Sequence, residues 1–282
     1  MQAGARPERM QFGDRRPFRW TFAAAAVALV ALGLYGVEFD LGLLVGERAR
    51  GNAARFFEGC WPPRTDGPFV GPLFGLALDT VCVAALATAV AVLLGVPLGI
   101  LGCRAATLGS LFVTGDIESS WLHRGLYLAA RAVGAVFRSV PELVWAMLFV
   151  RVFGLGPSPA ILAIGVAYGG MLGKVYSEQL EAVDPRPVTA LESVGAGRAA
   201  AFAWGILPQA FGPMASYTAY RFECAVRASA LMGLVGAGGL GQRIQFSQLD
   251  NEYAEIATEV AILMAVVVAV EWISDEIKRR IA

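Results

Sequence analysis

The segment Gly236-Ala237-Gly238-Gly239-Leu240-Gly241 has the spacing G-x-G-x-x-G. In a strand–turn–helix setting this spacing lets backbone amides close on a dinucleotide pyrophosphate. That chemistry needs a strand feeding the first glycine and a βαβ unit around it. Here the glycines follow an apolar run and precede the polar stretch QRIQFSQLDNEY, a context that argues against a dinucleotide site. A second phosphate-type pattern, GGMLGKV at Lys174, ends like a P-loop. However, Tyr168 stands where its first glycine belongs, and Val175 replaces the Ser/Thr that would hold Mg²⁺. The single His123 rules out paired-histidine metal motifs, and neither CxxC nor GxSxG occurs. Cys82, Cys103 and Cys224 fall in or beside apolar runs and Cys60 has no obvious partner, so no disulfide framework is expected.

The remaining chemistry-bearing residues are polar groups inside apolar sequence: Arg138, Ser139 and Glu142, then Tyr220, Arg221, Glu223, Arg227 and Ser229. Glu223 precedes Arg227 by four, the favourable orientation for a helical ion pair. Arg138 and Glu142 share that spacing in reverse, with Pro141 and Ser139 breaking the helix between them. Two readings stay open: paired charges that pack a helix bundle, or the polar lining of a path through a membrane. For an oxyanion, guanidinium groups offer planar bidentate donors, and Ser139, Ser229 and Tyr220 add neutral ones. Arginines partly satisfied by Glu142 and Glu223 would bind such an ion without trapping it.

The elements that must position these residues follow from composition. The 282 residues are 56% hydrophobic and 16% charged, with a mean hydropathy of +0.58, which marks an all-α polytopic membrane protein. A net charge of zero gives no basic excess for nucleic acid. About six transmembrane helices are expected: Trp20 to Val37, Thr80 to Cys103 with a start nearer Leu73, Leu126 to Val150, Val152 to Gly173, Ala199 to Val235, and Ile256 to Ile273. Glu259 and Glu271 are expected near the ends of the last, snorkelling to the interface. Arg15 and Arg16 before the first span resemble a twin-arginine export signal, but the polytopic remainder favours a retained helix.

With the N-terminus inside, Arg6, Arg9, Arg15, Arg16, Arg19, Arg104, Arg124, Lys174, Arg186, Arg198 and Lys278 to Arg280 lie on the cytoplasmic side. Only Arg48, Arg50, Arg55, Arg64 and Arg243 lie outside, the last in the expected external loop QRIQFSQLDNEY. Both termini are therefore expected in the cytoplasm. Residues 1–72 hold the N-terminus, first helix and an external loop; residues 73–282 form a five-helix core.

Between the fourth and fifth spans, at about 181–208, the chain reads as a short helix standing free of the bilayer. Asp184 is a candidate N-cap with Pro185 at the first helical position, or the start shifts to Pro187; Thr189 and Glu192 have capping-box spacing. Gly195 suits a left-handed helix end. Such a helix is suited to dock into a groove on a cytoplasmic partner; an ordinary connecting loop is the alternative.

The stretch Thr189-Ala190-Leu191, three residues, Gly195, nine residues, then Gly205-Ile206-Leu207-Pro208 resembles the EAA loop of binding-protein-dependent ABC importer permeases. Gly195, Leu207 and Pro208 match that pattern. Of the EAA letters only Ala190 survives, and Gly205 occupies the Ile position. FRSVPELVWAMLFV, FGLGP, GKVYSEQLEAVDP, SYTAYRFECAVRASA and GLVGAGGLGQ follow in the order and spacing of the phosphonate-transporter permease family. The likeness covers roughly Phe74 to Ile273; methionine-type permeases share the glycine-rich ending.

The resemblance implies a type I ABC importer permease fold with a cytoplasmic coupling helix. It places Asp184, Pro187, Thr189, Ala190, Leu191, Glu192, Gly195, Ala196, Leu207 and Pro208 at the ATPase contact. It also places Gly233, Gly236, Gly238, Gly239 and Gly241 at a periplasmic gate. The implied partners are a second permease subunit forming a homodimer, two cytoplasmic ATPase subunits that bind ATP and Mg²⁺, a periplasmic substrate-binding protein, and membrane lipid. This chain itself is expected to hold no cofactor and to perform no enzymatic reaction. The cargo is a phosphonate or related phosphorus oxyanion such as phosphate or phosphite. The alternatives are an amino-acid, methionine-type permease and, from another class, a proton-coupled secondary carrier.

Overall fold

The computed structural model describes residues 16–36, 46–107 and 121–281; Arg6, Arg9, Arg15 and the start of the 38–72 loop lie outside them. The chain divides into two compact units, Met1–Glu58 and Gly59–Ala282. The first carries α1 (Arg16–Gly36) and most of α2 (Glu47–Gly59). The second carries α3 (Gly67–Leu101), α4 (Arg104–Thr107), α5 (Trp121–Ser139), α6 (Glu142–Phe153), α7 (Pro157–Glu181), α8 (Pro185–Ser193) and α9 (Arg198–Ala201). A π-helical turn, Phe202–Ile206, leads into α10 (Leu207–Met232); a 3-10 turn, Gly233–Val235, precedes α11 (Gly239–Leu249), and α12 (Tyr253–Ile281) follows. No strand occurs among the described residues.

α3, α7 and α12 are each long and apolar enough to cross a bilayer. The run Leu126 to Val150, expected as one span with its helix broken at Ser139 and Pro141, is two helices, α5 and α6, meeting at 92° at that break. Pro141 has no amide hydrogen to continue the ladder, and the Ser139 hydroxyl turns back to donate to the Val136 carbonyl at 3.0 Å. The stretch QRIQFSQLDNEY, expected as an external loop, is mostly the helix α11, inclined 45° to the rod before it. Two of its polar side chains, Arg243 and Ser247, bond to protein carboxylates, whereas Gln248, Asp250, Asn251 and Glu252 are exposed. Arg243 pairs with Glu255 at 2.8 Å and Glu259 at 3.1 Å, and Arg64 reaches Glu255 at 2.6 Å. The Ser247 hydroxyl meets Glu259 at 2.8 Å. Glu259 therefore does not snorkel: it is 0% exposed, held by Arg243 and Ser247 because an isolated carboxylate there would be prohibitively costly.

α7 is the central helix, with Ala160, Ala163, Ile164, Ala167, Leu172 and Tyr176 all buried. Its closest neighbour is α3, and glycines on both make the approach possible. A Cβ at Gly95 or Gly99 would stand 2.7 Å from that of Leu172 or Tyr176, and one at Gly173 2.7 Å from that of Leu98. Gly165 and Gly169 are crowded in the same way by Val90 and Leu94. Residues spaced by four on both helices thus form a small-xxx-small seam. In lipid, close packing of this kind replaces the hydrophobic drive that water would supply.

Candidate functional site

At one end of the bundle α7 gives way to α8, and the local sequence explains the shape. The Asp184 side chain accepts from the Arg186 backbone amide at 2.9 Å, with Pro185 in the first turn. That amide and the Arg186 guanidinium hold the Asp184 carboxyl below the usual carboxylate range. The contribution of this cap is therefore present above the ordinary carboxylate pKa and lost as pH falls through the lowered value.

The helix begins at Pro185, so Thr189 does not open a capping box with Glu192. Thr189 is interior, and its hydroxyl donates to the carbonyls of Pro185 and Arg186 at 3.3 and 3.0 Å. At the other end Gly195 has φ +86°. Its amide donates to Glu192, and the Ala196 amide donates to Leu191, both at 3.0 Å. This is the double-bonded left-handed ending that favours glycine.

One face of α8 is docked and the other is free. Val188 is 2% exposed and packs with Cys103, Leu180, Ala201, Ile206 and Ala210. A Cβ at Gly205 would meet Val188 Cγ2 at 3.0 Å; glycine at this position lets α8 lie on the π turn. Gln209, which no local motif marks, clamps the junction. Its Oε1 accepts from the Asp184 amide at 3.2 Å, and its Nε2 donates to the Asp184 and Gly205 carbonyls at 3.3 and 2.5 Å. Leu191, Glu192 and Ala196 are half-buried, whereas Arg186, Pro187, Thr189, Ala190, Ser193 and Val194 face outward. Leu207 and Pro208 form the first turn of α10. Replacing Gly195 by valine should strain this ending by ~1–2 kcal/mol. Transport per membrane-inserted chain is expected to fall, measured as uptake normalised to immunoblot signal.

The intramembrane charges find partners other than those their spacing predicts. Glu223 and Arg227 do not pair with each other. Glu223 takes Lys278 at 2.5 Å and Arg227 takes Glu271 at 2.5 Å, both across to α12. α12 packs along α10 and presents opposite charges at matching heights, which outcompetes the i,i+4 geometry. Glu271 is thus an ion-pair partner rather than a snorkelling end. Arg138 and Glu142 do not pair either: the α5–α6 bend separates them, and no ion pair joins them among the described residues. Ser229 is buried, and its hydroxyl bonds the Thr80 and Val226 carbonyls at 2.9 Å, a structural bond between α10 and α3.

Arg221 sits in an aromatic cluster. Its Nε and Nη2 donate to the Tyr217 hydroxyl at 2.9 and 2.6 Å. The guanidinium carbon lies 5.1, 5.4 and 5.8 Å from the ring centres of Tyr217, Tyr168 and Tyr220, within cation–π range. Glu142, Arg221 and Arg227 all lie within electrostatic reach of the Tyr168 hydroxyl. The fold therefore gathers Glu142 from α6, Tyr168 from α7, and Tyr220, Arg221 and Arg227 from α10. Tyr217 precedes Arg221 by four, a helical spacing visible in sequence; Tyr168 carried no signal beyond breaking a P-loop.

The predicted gate glycines form the break between α10 and α11. Gly236, Gly238 and Gly239 have φ of +85°, +86° and +69°. At Gly233 and Gly241 two backbones touch: a Cβ on Gly241 would stand 1.8 Å from the Ala230 carbonyl oxygen, and one on Gly233 2.3 Å from the Gln242 amide. Thr80, thirteen positions inside α3, joins this turn, its hydroxyl accepting from the Leu240 amide at 3.1 Å. The break therefore lies beside α3 about 20 Å from that helix's first residue.

A membrane bundle with a free, capped helix between spans and a glycine-broken span is the type I ABC importer permease fold. The structure is similar to a chain of the methionine ABC transporter MetNI in an inward-facing conformation, with TM-score 0.64, 22% identity, and coverage of 77% of this chain and all of that one. Residues 105–281 match the binding-protein-dependent transport system inner membrane component family, and the chain belongs to it. It is a multi-pass inner-membrane protein. It is 34% identical over 221 residues to the phosphate-import permease protein PhnE of Mycolicibacterium smegmatis, covering 78% of this chain and 38% of that one. It is 38% identical over 159 residues to the putative phosphite transport system permease protein HtxE of Stutzerimonas stutzeri, covering 56% and 59%. The aligned part of this chain thus spans 38% and 59% of the length of these relatives.

Proposed function

We propose that the chain is the permease of an ATP-driven, binding-protein-dependent importer of phosphonate or a related phosphorus oxyanion, phosphate and phosphite included. It works as a homodimer, with two ATPase subunits seated on the α8 side in the cytoplasm and a substrate-binding protein on the opposite, periplasmic face. ATP and Mg²⁺ belong to the ATPase subunits. Both termini are cytoplasmic.

The observation that carries this reading is α8, a short helix capped at both ends, fixed to the bundle through Val188, Gly205 and Gln209, with its other face free. Motion of a partner bound there reaches α7 through Asp184 and α10 through Gln209. The phosphorus cargo is supported by the names of the relatives and by the chemistry of Arg221 and Arg227, which offer fork-shaped donors to tetrahedral oxyanions. The nearby Glu142 and Glu271 keep such binding transient.

Reconstitution in vesicles with the ATPase and binding protein tests the proposal. ATP-dependent uptake of a phosphorus oxyanion, competed by phosphonate, phosphate and phosphite but not by methionine, is expected. Competition by methionine alone would give the cargo to an amino acid, and uptake independent of ATP would make the chain a secondary carrier.

A further inference from the structure

A second cationic site lies at the α8 end of the bundle, outside the Arg221 cluster. The last turn of α3, the second half of α5 and the last third of α7 form a small, partly open cleft of about 20 Å³, lined by Leu98, Gly102, Arg131, Gly134, Arg138 and Lys174 among others. Three side chains of its lining are cationic and none is acidic. Arg138 makes no hydrogen bond or ion pair among the described residues. Arg131 donates one Nη1 hydrogen to the Tyr127 hydroxyl at 2.5 Å, leaving most of its five donors free. Lys174 pairs with Glu178, an exposed side chain. The other nearby carboxylate, Glu181, accepts from the Arg104 backbone amide at 2.8 Å. Ser177 adds no donor, since its hydroxyl already donates to the Lys174 carbonyl at 2.7 Å.

The glycines keep the cleft open: a Cβ on Gly134 would meet only the Gly170 carbonyl, at 3.9 Å. The cleft lies near the ends of two helices long enough to span, where such helices meet the headgroups. Gly102 immediately follows α3, and Lys174 is seven residues, about 10 Å, from the end of α7. Cations converging here with so little compensation are expensive in a membrane unless an anion is present. Basic pockets between helices at this depth receive phosphate headgroups.

We propose that this cleft binds a phosphate-type oxyanion, supplied either by the headgroup of an anionic phospholipid or by a free phosphate-type ion. The site lies outside the Arg221 cluster that supports the cargo reading, and although Arg138 is also a candidate for the path by sequence, lipid retention is read without any transport assay.

The test uses the full chain purified from membranes with its copurifying subunits. One arm measures retention of phosphatidylglycerol against phosphatidylcholine by native mass spectrometry; the other titrates inorganic phosphate into protein held in phosphatidylcholine nanodiscs. In the wild type, phosphatidylglycerol should be retained in preference to phosphatidylcholine by roughly tenfold. Arg138→Gln with Lys174→Gln should abolish the preference, and Gly134→Leu should abolish it with every cation in place, by filling the space. Arg138→Lys should keep most of it. Saturable phosphate binding lost in the same variants, without a lipid preference, would identify the free ion as the ligand. Wild type binding neither probe selectively, or variants retaining the wild-type preference, would overturn the proposal.

Discussion

Replacing Gly241 by valine is expected to abolish substrate uptake and leave a membrane-inserted chain that proteases cut between α10 and α11. The Cβ of any substituent there falls 1.8 Å from the Ala230 carbonyl oxygen and 2.8 Å from its carbon. No rotamer relieves that contact, because both partners are backbone. The two segments must separate, and the Ser229–Thr80 and Leu240–Thr80 bonds beside them are lost as well. Overpacking in a core costs ~1–3 kcal/mol and more when backbone must shift, so the upper part of that range is a floor here. Gly238 provides the contrast. Its φ of +86° makes alanine strained by ~1–2 kcal/mol, but the nearest atom to a new Cβ is Gln242 Oε1 at 4.0 Å. Gly238→Ala should therefore retain measurable uptake. Equal uptake by both variants in the same membranes would rule out backbone contact as the reason for glycine at 241.

Lys278→Met is expected to lower the thermal stability of the purified protein by about 3–5 kcal/mol, the usual result of stranding a buried charge. Glu223, 8% exposed, has Lys278 as its ion-pair partner at 2.5 Å, and Lys278 itself is 26% exposed and also touches Asp275 at 3.2 Å. Adding Glu223→Gln to Lys278→Met should restore most of the loss, because the amide needs no counterion. Failure of the double variant to recover Tm would mean that the lysine acts through packing. The Arg227–Glu271 pair, 43% and 45% exposed, should respond differently. Arg227→Ala is expected to reduce uptake with a much smaller change in Tm, since water screens half-exposed partners.

How far the fold was legible depended on the range of the determining contacts. Asp184, Pro185 and Gly195 act within one or two turns, so the caps of α8 could be read directly from residue type and spacing. The partners of Glu223 and Arg227 lie 55 and 44 positions away, and no local rule ranks Lys278 or Glu271 above a neighbour four residues on. Pro141 announced an interruption, but the 92° turn depends on what α6 packs against. α11 looked like a loop because Arg243 and Ser247 are polar. Their targets, Glu255 and Glu259, are also polar and also enclosed, so the usual correspondence between polarity and exposure fails there.

Gly165, Gly169 and Gly173 were visible throughout, two of them in the stretch that resembled a P-loop ending. Their function in the structure is to be absent side chains along the seam with α3. Mutational scans usually equate alanine with deletion, a truncation that removes contacts and leaves a hole. Along this seam alanine is the bulkier choice: each substitution inserts a carbon between helices already in contact, and the scan becomes a wedge test. Positions that appear energetically silent by composition are the ones at which the smallest possible enlargement forces two spans apart.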